Sequence, residues 1–173
     1  MIFLAAIALG VVFGLVTGGR VANLARLRFR WAWLVLAALL IREAILLTPL
    51  NAVNGAQYVY LLGLVVIVAW TIFHWRRLRG IWLVTLGGTL NVIVIAANGA
   101  RMPVAHESAG GLNRVGTYGQ YTLMGEHTNL NFLGDWIRLY PLPGVYSIGD
   151  LLIALGLAIT VFIAVATPAR IVV

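Results

Sequence analysis

Cysteine is absent from the 173 residues, which excludes disulfides, thiolate nucleophiles, iron–sulfur clusters and Cys-ligated zinc. Lysine is absent too, so all twelve basic residues are arginines. Acids are scarce, five against those twelve, which leaves a formal net charge of +7. Only 10% of the residues are charged while 62% are hydrophobic, and the mean hydropathy is +0.98. A chain of this length cannot hide that much apolar surface in a soluble core, so lipid is expected to cover much of it. The positive charge sits in short connections between apolar runs, where it signals orientation in a membrane. Nucleic-acid binding is therefore not expected.

The arginines are unevenly placed. Arg20, Arg26, Arg28 and Arg30 share one connection, Arg76, Arg77 and Arg79 another, and Arg170 lies in the C-terminal tail, with no acid among them. Glu43, Glu107, Glu126, Asp135 and Asp150 all fall in or toward the opposite side. Basic residues are retained in cytoplasmic loops, which puts the N-terminus outside and the C-terminus in the cytoplasm. Apolar stretches at about 1–17, 31–48, 57–75, 80–98 and 148–167 each approach the ~20 residues that cross a bilayer. Five crossings agree with termini on opposite sides. Trp31, Trp33, Trp70, Trp75 and Trp82 fall at the cytoplasmic ends, the six tyrosines at the outer rim, and Trp136 alone breaks the division. Met1-Ile2-Phe3-Leu4 enters apolar sequence without a preceding basic residue, which predicts a retained helix and not a cleaved signal peptide. The expected fold class is all-α: a single polytopic domain over 1–173, of about five transmembrane helices, in the cytoplasmic (inner) membrane of a bacterium.

Ala6, Gly10, Gly14 and Gly18 recur every fourth residue, leaving one bare helix face for close approach of another backbone. That backbone belongs either to this chain or to another membrane protein. Gly80 and Gly87 in the fourth span, and Gly149 and Gly156 in the fifth, repeat the signal more weakly.

A stretch of roughly fifty residues, 99–147, separates the last two spans, and connections this long are usually functional or disordered. Its apolar part, 130–140, reads as a helix lying in the membrane interface, ended by Pro141 and Pro143. Ser147-Ile148-Gly149-Asp150 has the form of a capping box, which gives Asp150 a structural role at a helix start as the competitor to a functional one. Asp135 is either ion-paired, with Arg138 or Arg101, or functional. Asn91 and Asn98 share a helix face and can bond across helices or contact a ligand. Arg42 and Glu43 lie inside an apolar run, where ionisable residues pair with neighbouring groups or mark a site. His74 is expected at the cytoplasmic rim, reaching toward headgroups. His106-Glu107 and Glu126-His127 read as surface polar residues, and no metal site is assigned.

Asn131-Phe132-Leu133-Gly134-Asp135 and Tyr146-Ser147-Ile148-Gly149-Asp150 resemble the two aspartate motifs of signal peptidase II, with Trp136 in place of an Arg and Ser147 in place of an Asn. That resemblance implies an intramembrane aspartyl hydrolase using Asp135 and Asp150. Separately, Gly18-Gly19-Arg20, Asn23-Leu24, Leu90-Asn91-Val92-Ile93, Asn98-Gly99-Ala100-Arg101-Met102-Pro103-Val104, Leu133-Gly134-Asp135 and Ser147-Ile148-Gly149-Asp150 together resemble an uncharacterised family of small bacterial polytopic membrane proteins. This implies a multi-pass fold with an important outer face and supplies no activity.

Glu43, Asn91, Asn98, Arg101, Asp135 and Asp150 are thus expected to gather at a polar site under the outer loop. Without a redox ligand set, nucleotide motif or intact nucleophile arrangement, the leading expectation is a non-enzymatic accessory or assembly subunit binding lipid, a hydrophobic cofactor or partner helices. A lipid-directed hydrolase is the alternative and a small transporter or channel the third. No particular cofactor is indicated; the expected partners are the bilayer and other membrane chains.

Overall fold

A computed structural model describes residues 1–27 and 29–167; Arg28 and Arg170, two members of the arginine asymmetry, lie outside the described residues. Each apolar stretch is a helix with ends within two residues of those expected: α1 Ile2–Val16, α2 Ala32–Leu46, α3 Ala56–His74, α4 Ile81–Ala97 and, last, α6 Ile148–Ala166. A single turn, α5 Leu112–Val115, lies in the connection between α4 and α6. Two helices, α3 and α6, are long and apolar enough to cross a membrane, and α1 and α4 are apolar but shorter.

The principal packing partners form a series: α1 on α6, α6 on α4, α4 on α3, and α3 on α2. Glycines set the closest steps. Running antiparallel, α4 and α6 bring Gly80 against Gly156 and Gly87 against Gly149. A Cβ on Gly156 would stand 2.9 Å from the Gly80 carbonyl oxygen, and one on Gly87 would run into the Gly149 carbonyl. On the other side of α6 the parallel α1 uses Gly10 and Gly14, where a Cβ would stand 2.6 Å from Ala158 O and from Val165 Cβ respectively. The bare face of α1 is therefore met within this chain. Gly18 does not belong to it: α1 has already ended, and Gly18 has φ +85° with nothing near its missing side chain. Its role is the left-handed turn that glycine adopts without cost.

After that turn, Gly19 and Asn23 dock on the far end of α6. Arg20 N and Asn23 Nδ2 both donate to Val165 O, at 3.1 and 2.7 Å. At the opposite pole of the series, α2 buries none of its residues.

The 99–147 connection is ordered by a small sheet that strand periodicity could not announce. Its strands are β1 Met102–Val104, β2 Thr117–Tyr118 and β3 Tyr121–Leu123, in the order β1-β3-β2. β1 pairs parallel with β3 and β2 pairs antiparallel with it. The expected interfacial helix over 130–140 does not form. Asn131–Leu133 makes one 3-10 turn, and the chain then runs extended, bridging Val104 through Asp135 and Tyr146 through Ile137. The extended path satisfies backbone groups through neighbouring strands: Asp135 N donates to Pro103 O at 2.8 Å and Ile137 N to Tyr146 O at 3.0 Å. Met102 and Leu133 pack on Val94 of α4, which seats this layer on the helix ends.

Candidate functional site

The expected gathering of six polar residues resolves into separate structures. The first is a ring of hydrogen bonds joining α4 to the start of α6. Asn91 Nδ2 donates to Asp150 Oδ1 at 2.9 Å, and Ser147 Oγ donates to Asn91 Oδ1 at 2.9 Å. Asp150 N donates to Ser147 Oγ at 3.0 Å and Ser147 N to Asp150 Oδ2 at 3.2 Å. The capping box is present as its sequence form implies. Gly149 is the position that lets this ring close, since a Cβ there would overlap the Asn91 amide. Both Asp150 oxygens are thereby engaged.

Asn98 does different work at the end of α4. Its Nδ2 donates to Val94 O and Asn129 O at 2.7 and 2.8 Å, while its Oδ1 accepts from Asn129 N at 2.7 Å. Asn129 returns a bond to Ala97 O, so two amides fasten the 99–147 connection to α4. The short link after α2 is also held: Asn51, buried, accepts from the Tyr60 hydroxyl at 3.0 Å and lies against Gly119 of the β2–β3 turn. Asn51 and Asn129 carry no signal in the sequence, because isolated amides in loops form no pattern, and Tyr121 stands out there only as one of six tyrosines on one side.

Glu43 pairs with its neighbour Arg42, and both remain partly exposed on α2. Arg101 is half-buried, with its Nε sealed and without a partner among the described residues. His74 departs furthest from expectation. It is fully buried, stacked on Trp70 at 4.1 Å and edge-on to Phe73, with Phe29 beyond. Its Nδ1 bonds the Trp70 carbonyl at 2.9 Å, which makes Nδ1 the protonated nitrogen, and Nε2 is left buried without a partner among the described residues. The aromatic neighbours at helical spacing, not the lipid headgroups, claim the imidazole. His106, Glu107, Glu126 and His127 are all exposed, and the described residues include no group of three or more acids and histidines placed to hold a metal.

Asp135 stands apart from these. Of its two readings, ion-paired or functional, the pairing with Arg138 or Arg101 is not made among the described residues. Arg138 is drawn away to Ser108 Oγ at 2.9 Å and to the Glu107 carbonyl. Asp135 is 8% exposed, and its Oδ1 is sealed without a hydrogen-bond partner among the described residues. Burial, and then the nearby charge of Asp150, push its pKa from 3.8 up to about 8. Both causes favour the protonated carboxyl over the carboxylate. Tyr121 is pushed above the usual phenol range, first by burial and then by Asp135, with Arg42 opposing.

Asp135 lines an open cavity of about 620 Å³ whose walls come from the 99–147 connection itself. The remaining wall is largely apolar, with Val104, Leu112, Val115 and Val145, joined by Tyr118, Tyr121 and Ser108. Volumes of ~300–1,000 Å³ with apolar walls and few polar groups are those of small-molecule sites. Asn91, Asn98, Glu43, Arg101 and Asp150 are not part of this wall.

The model of a family of unknown function, DUF5317, matches residues 26–162. The chain belongs to the DUF5317 family. The match takes in α2 to α6 almost entirely, with the Asn91–Ser147–Asp150 ring, the Asn98 fastening and the cavity; α1 and the Gly18-Gly19-Arg20 turn precede it. No curated protein and no solved structure matches the chain. The resemblance to signal peptidase II thus finds no support among the matches.

Proposed function

We propose that this DUF5317 member is a non-enzymatic integral membrane protein, an accessory or assembly subunit whose outer cavity binds an amphiphilic molecule, either a lipid or a hydrophobic cofactor. The five helices cross the cytoplasmic membrane of a bacterium with the N-terminus outside and the C-terminus inside. Two features support the crossings. α1 runs parallel to α6 and α4 antiparallel to it, as alternate crossings demand, and large apolar side chains such as Leu4, Leu36, Leu40, Leu62 and Leu155 are exposed along the helices. The observation that carries the binding role is the largely apolar cavity beside a buried acid that has no ion-pair partner among the described residues.

The non-enzymatic reading is preferred to the hydrolase because Asp150 spends both oxygens on its own helix end and on Asn91. A dyad needs two carboxylates free to share a proton and a water. Partner chains would find α2, which has no fully buried residue and packs mainly on α3, the most available helix.

Purification from native membranes in mild detergent, followed by native mass spectrometry, tests the binding role. The wild-type chain should carry a bound amphiphile, and Ala109→Phe, which fills the cavity from its wall, should lose it at unchanged yield. Equal adducts on both proteins would remove the cavity as the site.

A further inference from the structure

The chemistry of the cavity narrows what can occupy it. Among the described residues, Asp135 is the only carboxyl in its wall, which holds no Arg, Lys or His. The charged and titratable groups around that carboxyl come from several elements. Asp150 on α6 is of like sign. Tyr121 on β3 is neutral, and Tyr118 on β2 lines the same space. Arg42 on α2 acts through its charge on Tyr121. Arg138 is committed to Ser108 and Glu107, and among the described residues no guanidinium bonds Asp135. An ionised carboxylate sealed in this way would leave its charge uncompensated, a state proteins avoid by keeping the proton. A protonated carboxyl has one O–H to give. Oδ1 is sealed away from solvent, so Oδ2 is the oxygen through which the group meets the cavity.

We propose that the cavity accepts an uncharged amphiphile headed by a hydrogen-bond acceptor, a carbonyl or ether oxygen, to which the Asp135 carboxyl donates while the apolar body lies along Leu112, Val115 and Val145. This rests on the reading of the cavity as a binding site. A cationic head would instead require the acid to ionise beside Asp150 with no second anion in the wall. An anionic head would meet a carboxyl and two phenols with no arginine among them.

The full chain in phosphatidylcholine nanodiscs, with empty discs subtracted, is titrated with decylubiquinone as the neutral acceptor-headed probe and decylamine as the cationic one. Decylubiquinone affinity should fall about tenfold between pH 6 and pH 9, because only the protonated fraction of Asp135 is competent. Asp135→Asn keeps an N–H donor and should bind it with a flat pH profile. Asp135→Leu should weaken binding about three- to tenfold at pH 6, the worth of one neutral hydrogen bond. Decylamine binding that strengthens with pH and is lost in Asp135→Asn would overturn the assignment in favour of a cation. Probe binding abolished by Ala109→Phe yet indifferent to both Asp135 variants would overturn it while leaving the cavity as a site. Binding indifferent to Ala109→Phe as well would end both readings.

Discussion

Among single residues, Asp135 departs most from ordinary surface chemistry, and its cost is measurable as a pH dependence. Its folded-state pKa, about 8, lies above the 3.8 of an unperturbed carboxyl, so the native protein holds a proton that the unfolded chain releases. Stability from this group is then fully present below about pH 4, declines as pH rises, and levels off above about pH 8, with a slope of at most ~1.4 kcal/mol per pH unit. Asp135→Asn should flatten this slope and be more stable than wild type at pH 8, read as the midpoint of thermal unfolding in detergent across pH 5 to 8. Parallel profiles for the two proteins would mean that Asp135 is already ionised in the fold. Asp150, only fifteen residues on, has its partners built in: Ser147, Gly149 and Asn91 close around it. Spacing alone revealed half of this contrast. The capping box is a local pattern and could be read directly, whereas the loss of Arg138 to Ser108 and Glu107 depends on where a distant loop folds.

Helices were more legible than the layer that covers them. Five apolar runs give five helices with nearly the expected ends because the signal extends over many residues. Strands of two or three residues, one containing Pro103, have no periodicity to detect, so an apolar stretch at 130–140 looked helical until its bridges to Val104 and Tyr146 claimed it. Of the small residues at fourth positions on α1, Gly10 and Gly14 lie against α6, and Gly18 lies beyond the helix. Substitution tests the face directly. Gly14→Leu must displace Val165 on α6, while Val12→Leu points away from α6 at a position 53% exposed. The first should lose about 1–3 kcal/mol through overpacking and the second almost nothing. The measurement is the fraction of folded protein surviving graded SDS addition to detergent micelles. Equal resistance would show that α1 does not need its close approach to α6.

At the scale of the molecule, charge and helix direction converge on one arrangement. Arg20, Arg30, Arg76, Arg77 and Arg79 gather at the end where α1, α3 and α6 finish and α2 and α4 begin. The sheet, the Asn98 fastening and the cavity lie at the other end. The proposed lipid-facing role of the exposed leucines, the proposed orientation and the proposed access of an amphiphile to the cavity all depend on these two ends lying on opposite sides of a bilayer. The absence of cysteine makes that testable without background. Single cysteines at His127, exposed in the outer connection, and at Leu78, between α3 and α4, leave every arginine in place. In intact cells an impermeant maleimide should label His127→Cys, and it should reach Leu78→Cys only after permeabilisation. Labelling of Leu78→Cys in intact cells, with His127→Cys protected, would contradict the orientation and place the cavity in the cytoplasm.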